Sequence, residues 1–239
     1  MTLPAGDTGT ATERVTIGPS DGCLRLSQQV VEFDPGTWAP RQVGQAEEVM
    51  FVEAGQGTLH LGTTSYPLAP DTSVHLVPGE SCQISNPGPE TLRVVSVRVP
   101  LDNDSATVGP RSVTRRLADQ PLHTTDDRHF RITASPESGC RSVTQFVGEI
   151  PPGAAPPHRH TYDEIVYVLS GTGVCHIDGK ATPVTPGSAV YLPPHTPHCM
   201  ENTGNDTLRV LGVFHPAGDP SSKTKQGSEV PKTSEGSSS

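Results

Sequence analysis

The chain has 239 residues, a formal net charge of -9 and a sequence pI near 5.5. That acidity disfavours a general nucleic-acid or anionic-membrane binder, which needs clustered Lys and Arg. No apolar run approaches the roughly 18 residues of a spanning helix, and Met1–Ser20 has no basic segment followed by an apolar one, so neither a membrane span nor a secretory signal is expected. The cysteines Cys23, Cys82, Cys140, Cys175 and Cys199 are odd in number and form no CxxC pair. They read as reduced thiols of a cytoplasmic protein.

Turn residues recur every few positions, and the segments between them are short and rich in Val, Thr and Leu. In chain order, strands are expected at Glu48–Ala54, Thr58–Leu61, Thr91–Val99, Val143–Ile150, Glu164–Leu169, Gly173–Ile177, Ala189–Leu192 and Thr207–Phe214. Asp178-Gly179 is a hairpin signal, because both residues tolerate positive φ. No amphipathic helix of four turns is evident. The segment 218–239 is Ser, Lys, Gly and Thr with almost nothing apolar, and is expected to be disordered; residues 1–12 look similar.

The chain repeats itself at long range. Asp34-Pro35-Gly36 matches Pro151-Pro152-Gly153, and Glu48–Gly55 matches Glu164–Gly171. His75–Pro78 matches Tyr191–Pro194, and Asn86-Pro87-Gly88 matches Asn202-Thr203-Gly204. The offset is about 116 residues throughout, too long for a solenoid repeat, so the reading is two copies of one β domain. The expected divisions are 13–100, a joining stretch with the start of the second barrel at 101–139, the second barrel at 140–217, and the tail.

Histidines concentrate in the second copy. His158 and His160 are two apart, so on a strand both face one side. Glu164 follows a short turn later, and His198 offers a fourth donor. Three neutral imidazoles and one carboxylate suit a divalent ion of intermediate hardness. Four protein ligands leave an octahedral ion two open positions.

Gly153-x4-His158-x-His160-x3-Glu164-x6-Gly171 resembles the first cupin motif, with one residue fewer before the first histidine. Gly187-x5-Pro193-x-His195-x2-His198-x3-Asn202 resembles the second, with His195 where a glycine is usual. The resemblance covers about residues 140–216. It implies an all-β fold of two tandem jelly-roll barrels, with His158, His160, Glu164 and His198 as metal ligands. In the first copy Arg41, Val43 and Cys82 stand where the three histidines stand, and only Glu48 remains. One divalent metal per chain is therefore expected, Fe(II) first, then Mn(II), Ni(II) or Zn(II). The Arg41 guanidinium is expected to replace the metal's charge beside Glu48.

Around the ligands, Tyr162, His195, Met200 and Asn202 are candidates for the pocket or its supporting shell. His75 and Cys82 are weighed as an irregular second site in the first barrel and set aside. The Glu47-Glu48 pair is not an acid–base dyad, since neighbours on a strand face opposite ways. The family resemblance implies a metal-dependent enzyme for a small polar molecule, with Fe(II) dioxygenase chemistry placed first. Isomerase, decarboxylase or cyclase chemistry follows, and then a binding or regulatory barrel without turnover. Homodimer formation is implied by resemblance alone.

Overall fold

The computed structural model describes residues 9–101, 107–154, 156–222 and 224–225. Among them there is no α-helix, only three single 3-10 turns. The first half contains β1 (Ala11–Ile17), β2 (Ser27–Phe33), β3 (Gly36–Thr37), β4 (Arg41–Gln42), β5 (Ala46–Ala54), β6 (Gly57–Leu61), β7 (Thr64–Leu68), β8 (Thr72–Leu76), β9 (Ser81–Asn86), β10 (Leu92–Pro100) and β11 (Thr114–Arg116). The second contains β12 (His123–Thr125), β13 (Arg128–Ala134), β14 (Thr144–Ile150), β15 (Gly153–Ala154), β16 (His158–Arg159), β17 (Asp163–Ser170), β18 (Gly173–Ile177), β19 (Lys180–Val184), β20 (Ala189–Leu192), β21 (His198–Asn202), β22 (Leu208–His215) and β23 (Thr224–Lys225).

Each half pairs a large antiparallel sheet of six strands, its longest among them, with a small one of shorter strands, five in the first half and six in the second. The large sheets run β1-β2-β10-β5-β8-β11 and β12-β13-β14-β22-β17-β20. The small ones run β3-β9-β6-β7, with β4 also on β9, and β19-β18-β21-β16-β23, with β15 also on β21. Strand for strand, β1–β10 correspond to β13–β22, as the internal repeat requires. Asp178 and Gly179 take φ of 46° and 77° at the β18–β19 hairpin, as their side chains allow.

The apolar runs of β5 and β17 are explained by burial on both faces of the large sheets. Met50 and Val52 point into the first barrel, Val49 and Phe51 out of it. Likewise Val166 and Val168 fill the second barrel, while Ile165 and Tyr167 face the first. The outward faces form cores drawn from both halves: Val49, Val97 and Val99 with Ile165 and Val213, and Val30, Phe51 and Val95 with Val147, Tyr167 and Leu211. The two barrels thus share their large-sheet faces, which makes strands without polar alternation stable. Buried hydrogen bonds cross the same face, including Ser73 Oγ to Gln145 Oε1 at 2.7 Å.

Within 101–139, expected to join the halves and start the second barrel, Thr114–Arg116 pairs with β8 and extends the first large sheet, while β12 and β13 lie on the second. At the other end, 218–222 and 224–225 are ordered against the second barrel, because Tyr162 and β16 give that polar backbone partners. The rest of the expected tail, 223 and 226–239, lies outside the described residues, as does 1–8. Residues 11–12, expected to be unstructured, open β1.

Candidate metal centre

Each of the four expected ligands is held by the second barrel in a way its local sequence explains. His158 lies on β16 directly opposite His198 on β21. His160 follows β16, and its carbonyl is fixed by the backbone N–H of His195 at 2.7 Å. Glu164, on β17, sits between Leu192 of β20 and Phe214 of β22. The three imidazoles offer nitrogens within 4.8 Å of one another. Glu164 Oε2 is 3.6 Å from His160 Nε2 and 3.5 Å from His198 Nε2. His160, Glu164 and His198 are all buried.

Hydrogen bonds fix two ring orientations. His160 Nδ1 donates to the Ser222 carbonyl at 3.1 Å, and His198 Nδ1 donates to the Thr196 carbonyl at 2.8 Å. With the protons on Nδ1, both Nε2 lone pairs face Glu164 Oε2. That carboxylate oxygen is buried and has no hydrogen-bond partner. Electron pairs therefore confront electron pairs at 3.5–3.6 Å. Ligand bonds of about 2.1 Å put neighbouring donors roughly 3.0–3.5 Å apart, so a divalent ion fits this donor set. In its absence, burial pulls the His198 imidazole down and the Glu164 carboxylate more than offsets this, leaving its pKa raised.

Tyr162 stacks on the His160 ring, with centroids 4.8 Å apart and planes at 14°. Its hydroxyl donates to the carbonyls of Asp219 and Ser222, at 3.1 and 3.4 Å. Tyr162 and the 218–222 strap thus brace one imidazole together. Burial and the Glu164 charge push its phenol well above the ordinary value.

A cavity of about 100 Å³ opens onto the four side chains, lined also by Phe130, Phe146, Met200 and Pro220. Met200 is in the lining. Asn202 is not part of the cavity lining: its amide donates to the carbonyls of Ile150 and Asp206 and its oxygen accepts from the Gly204 N–H, clamping a turn. Asn86 does the same in the first barrel. His195 is also absent from the lining. It is exposed, at φ 63°, in the left-handed conformation that explains why glycine is usual there.

Arg128 was missed by the sequence reading, because nothing in Asp127-Arg128-His129 distinguishes it from a solvated hairpin charge. It lines the cavity and donates to the Met200 carbonyl at 2.7 Å. Burial lowers its pKa. No carboxylate lies within ion-pairing distance of it among the described residues, although the charges of Asp127 and Asp126 act on it from further away, so its guanidinium is at the cavity without an ion-pair partner.

The first barrel differs in charge chemistry. Arg41 forks onto Glu48 at 2.8 and 2.7 Å, Ser96 Oγ donates to Glu48 at 2.7 Å, and Arg98 Nε approaches at 3.3 Å. The pair sits where the second barrel holds its imidazoles. His75 and Cys82 are not neighbours there: Cys82 packs inside the first barrel, while His75 faces the shared interface beside Glu47. Glu47 and Glu48 do face opposite ways.

The cupin-domain family profile matches residues 29–98 and 146–214, more than half of the chain. The chain belongs to the cupin family. Among solved structures, this bicupin resembles a glyoxylate-induced protein from Pseudomonas aeruginosa, with a TM-score of 0.75 and 19% identity over 98% of this chain and 87% of that one. It also resembles the Bacillus subtilis oxalate decarboxylase with Mn(II) centres, with a TM-score of 0.73 and 14% identity over 92% and 75%. Likeness at these identities concerns the fold. Among curated proteins it is 39% identical to an oxalate-binding protein of Thermotoga maritima over 68 residues, which are 28% of this chain and 56% of that one. It is 42% identical to an uncharacterised protein of Methanocaldococcus jannaschii over 60 residues, 25% of this chain and 48% of that one. The chain spans about half the length of these curated relatives. No helix is long and apolar enough to cross a membrane.

Proposed function

We propose that the second barrel is a mononuclear metal enzyme site in which His158, His160, Glu164 and His198 hold a divalent ion and Arg128 receives the carboxylate of a small substrate. The observation that carries this reading is the unpaired Arg128 guanidinium in the same small cavity as the four donors. A half-buried cation without an ion-pair partner favours an anionic guest. When bound, the ion supplies Lewis acidity and, if it is Fe(II) or Mn(II), electrons. Arg128 orients the guest's carboxylate. Phe130, Phe146 and Pro220 limit its size and exclude water, and the strap and Tyr162 hold His160 in its ligating tautomer.

Dioxygenase chemistry with Fe(II) and decarboxylation with Mn(II) both use this donor set, and the oxalate-related names among the chain's likenesses make a dicarboxylate or 2-oxo acid the first substrates to try. The assay is reconstitution with Fe(II) or Mn(II), followed by oxygen uptake and carbon dioxide release with oxalate, glyoxylate and related acids. Uptake with both oxygen atoms in product supports the dioxygenase, and carbon dioxide release without net oxygen consumption supports the decarboxylase. Tight binding without turnover supports the second reading, a carboxylate-binding barrel, which the Thermotoga maritima relative's name favours. Neither binding nor turnover with any small carboxylate overturns the proposal.

A further inference from the structure

The face shared by the barrels carries a second group of ligand-type side chains, independent of the cavity described above. A carboxylate oxygen of Glu47 on β5, an imidazole nitrogen of His75 on β8 and the sulfur of Cys140, just before β14, lie within 4.8 Å of one another. Their residues are 3%, 3% and 0% exposed. Two come from the first barrel and one from the second, so the group exists only when the barrels are docked.

Each member is prepared for a cation. Glu47 Oε1 accepts from the Arg141 N–H at 2.9 Å and lies 3.1 Å from His75 Nε2, and Oε2 accepts from the Ser142 N–H at 2.7 Å. These donors suit an ionised carboxylate, yet no Lys or Arg side chain pairs with it among the described residues. Buried charges of this kind are normally paired or bound to metal. The other ring nitrogen of His75, Nδ1, is buried without a hydrogen-bond partner. Burial and the Glu47 charge push the Cys140 thiol up to about 12, only partly offset by the backbone N–H groups of Val143 and Ser142, so the sulfur is a protonated thiol until a cation displaces its proton.

The duplication supplies a comparison. Asp163, Tyr191 and Cys23 occupy the places of Glu47, His75 and Cys140 with the barrels exchanged, and Cys23 likewise accepts from two backbone N–H groups, of Leu26 and Arg25. There the Tyr191 hydroxyl donates to Asp163, which uses the phenol's one proton. Replacing tyrosine by His75 in the sister cluster leaves a ring nitrogen over, beside a thiol. Only one of the two related clusters therefore has three metal-binding donors.

We infer that Glu47, His75 and Cys140 form a second metal site, suited to zinc, that ties the two barrels together. Thiolate, imidazole and carboxylate are all zinc ligands, and a carboxylate bound through both oxygens brings the donors to four. Binding converts the Cys140 thiol to thiolate and releases its proton to solvent. The dication, one thiolate, one carboxylate and a neutral imidazole then sum to zero charge, so the buried cluster carries no net charge. Exposures of 3% and below make this a closed, structural site, filled as the chain folds.

Cobalt reports on sulfur ligation and separates this site from the all-nitrogen-and-oxygen donor set of the second barrel. Full-length wild type and the His158→Ala/His198→Ala variant are refolded with Co(II) under reducing, anaerobic conditions and desalted. The expected result is one equivalent of cobalt retained by the variant, with a near-ultraviolet sulfur-to-cobalt charge-transfer band in both proteins. The band disappears in Cys140→Ser; should that variant fail to fold, His75→Gln makes the same comparison. Natively folded, cobalt-equilibrated wild type without the band overturns the proposal, and so does a band that survives Cys140→Ser. Loss of the band in His158→Ala/His198→Ala would assign the sulfur to the second barrel's cavity, which Cys175 lines, and would also overturn it.

Discussion

Replacing Arg41 tests whether an arginine has taken over the electrostatic work of a metal in the first barrel. Glu48 is 1% exposed and Arg41 is 34% exposed. Burial pushes the Glu48 carboxyl up, but the Arg41 fork, with Arg98 and Ser96, pulls it further down, so it is ionised at neutral pH. Breaking a buried pair by removing one partner costs about 3–5 kcal/mol, because the other charge stays behind. Arg41 is a third open to water, and Arg98 remains 3.3 Å from the carboxylate, so the low end applies: about 3 kcal/mol for Arg41→Ala. For a chain of this size that corresponds to a fall in Tm of about 6–12 °C. Calorimetry at pH 7 measures it. The double variant Arg41→Met/Glu48→Gln removes the stranded charge and should recover most of the loss. The folded pKa of Glu48 lies below its unfolded value of 4.5. Its contribution is therefore complete above that pH and is lost as pH falls through the folded value, so Glu48→Gln should flatten the acid limb of the stability curve. A Tm fall under about 2 °C for Arg41→Ala, or a double variant as unstable as the single, would refute the substitution argument.

Chelation should lower the Tm of wild type by more than that of His158→Ala/Glu164→Gln, in which only the Glu47, His75 and Cys140 donors remain to be stripped; an equal fall in both proteins counts against the four ligands. Arg128→Gln should raise KM for a carboxylate substrate roughly 10- to 150-fold, the worth of a charged hydrogen bond of about 1.5–3 kcal/mol, with kcat changed less; an unchanged KM removes Arg128 from recognition. Truncation after Ala217 deletes the Ser222 carbonyl that accepts from His160, and should weaken metal binding about 10- to 100-fold at an almost unchanged Tm. Equal metal affinity in isothermal titration would make the strap a bystander. Gly212→Ala would put a Cβ 2.2 Å from the Phe146 ring, and overpacking of that kind costs about 1–3 kcal/mol, read as a lowered urea midpoint.

What was legible in the sequence follows from where burial is two-sided. β5, β10, β17 and β22 belong to the sheets that pack against each other, so their apolar runs are long and their expected bounds differ from the observed ones by at most a few residues. β1 and β19 were missed because most of their residues are exposed and their sequences, Ala11–Ile17 and Lys180–Val184, are polar enough to pass for loop. That His158, His160, Glu164 and His198 come together was legible because they sit in two compact motifs. Arg128 was not, since its role arises only when β13 passes beside β14 and its guanidinium reaches the β21 carbonyl of Met200. The packing of residues 218–222 was illegible for the opposite reason. Composition reports whether a segment can bury apolar surface, and of residues 218–222 only Pro220 is buried. They are ordered instead by backbone carbonyls that accept from Tyr162 and His160, a debt of polar partners that belongs to the site and is invisible in the segment itself. The Glu47 cluster lies deeper still, because it joins residues about 30 and 90 positions apart across a face that neither barrel possesses alone. Sequence motifs therefore expose the chemistry that one barrel builds for itself, whereas chemistry built between the barrels becomes visible only once their sheets are set face to face.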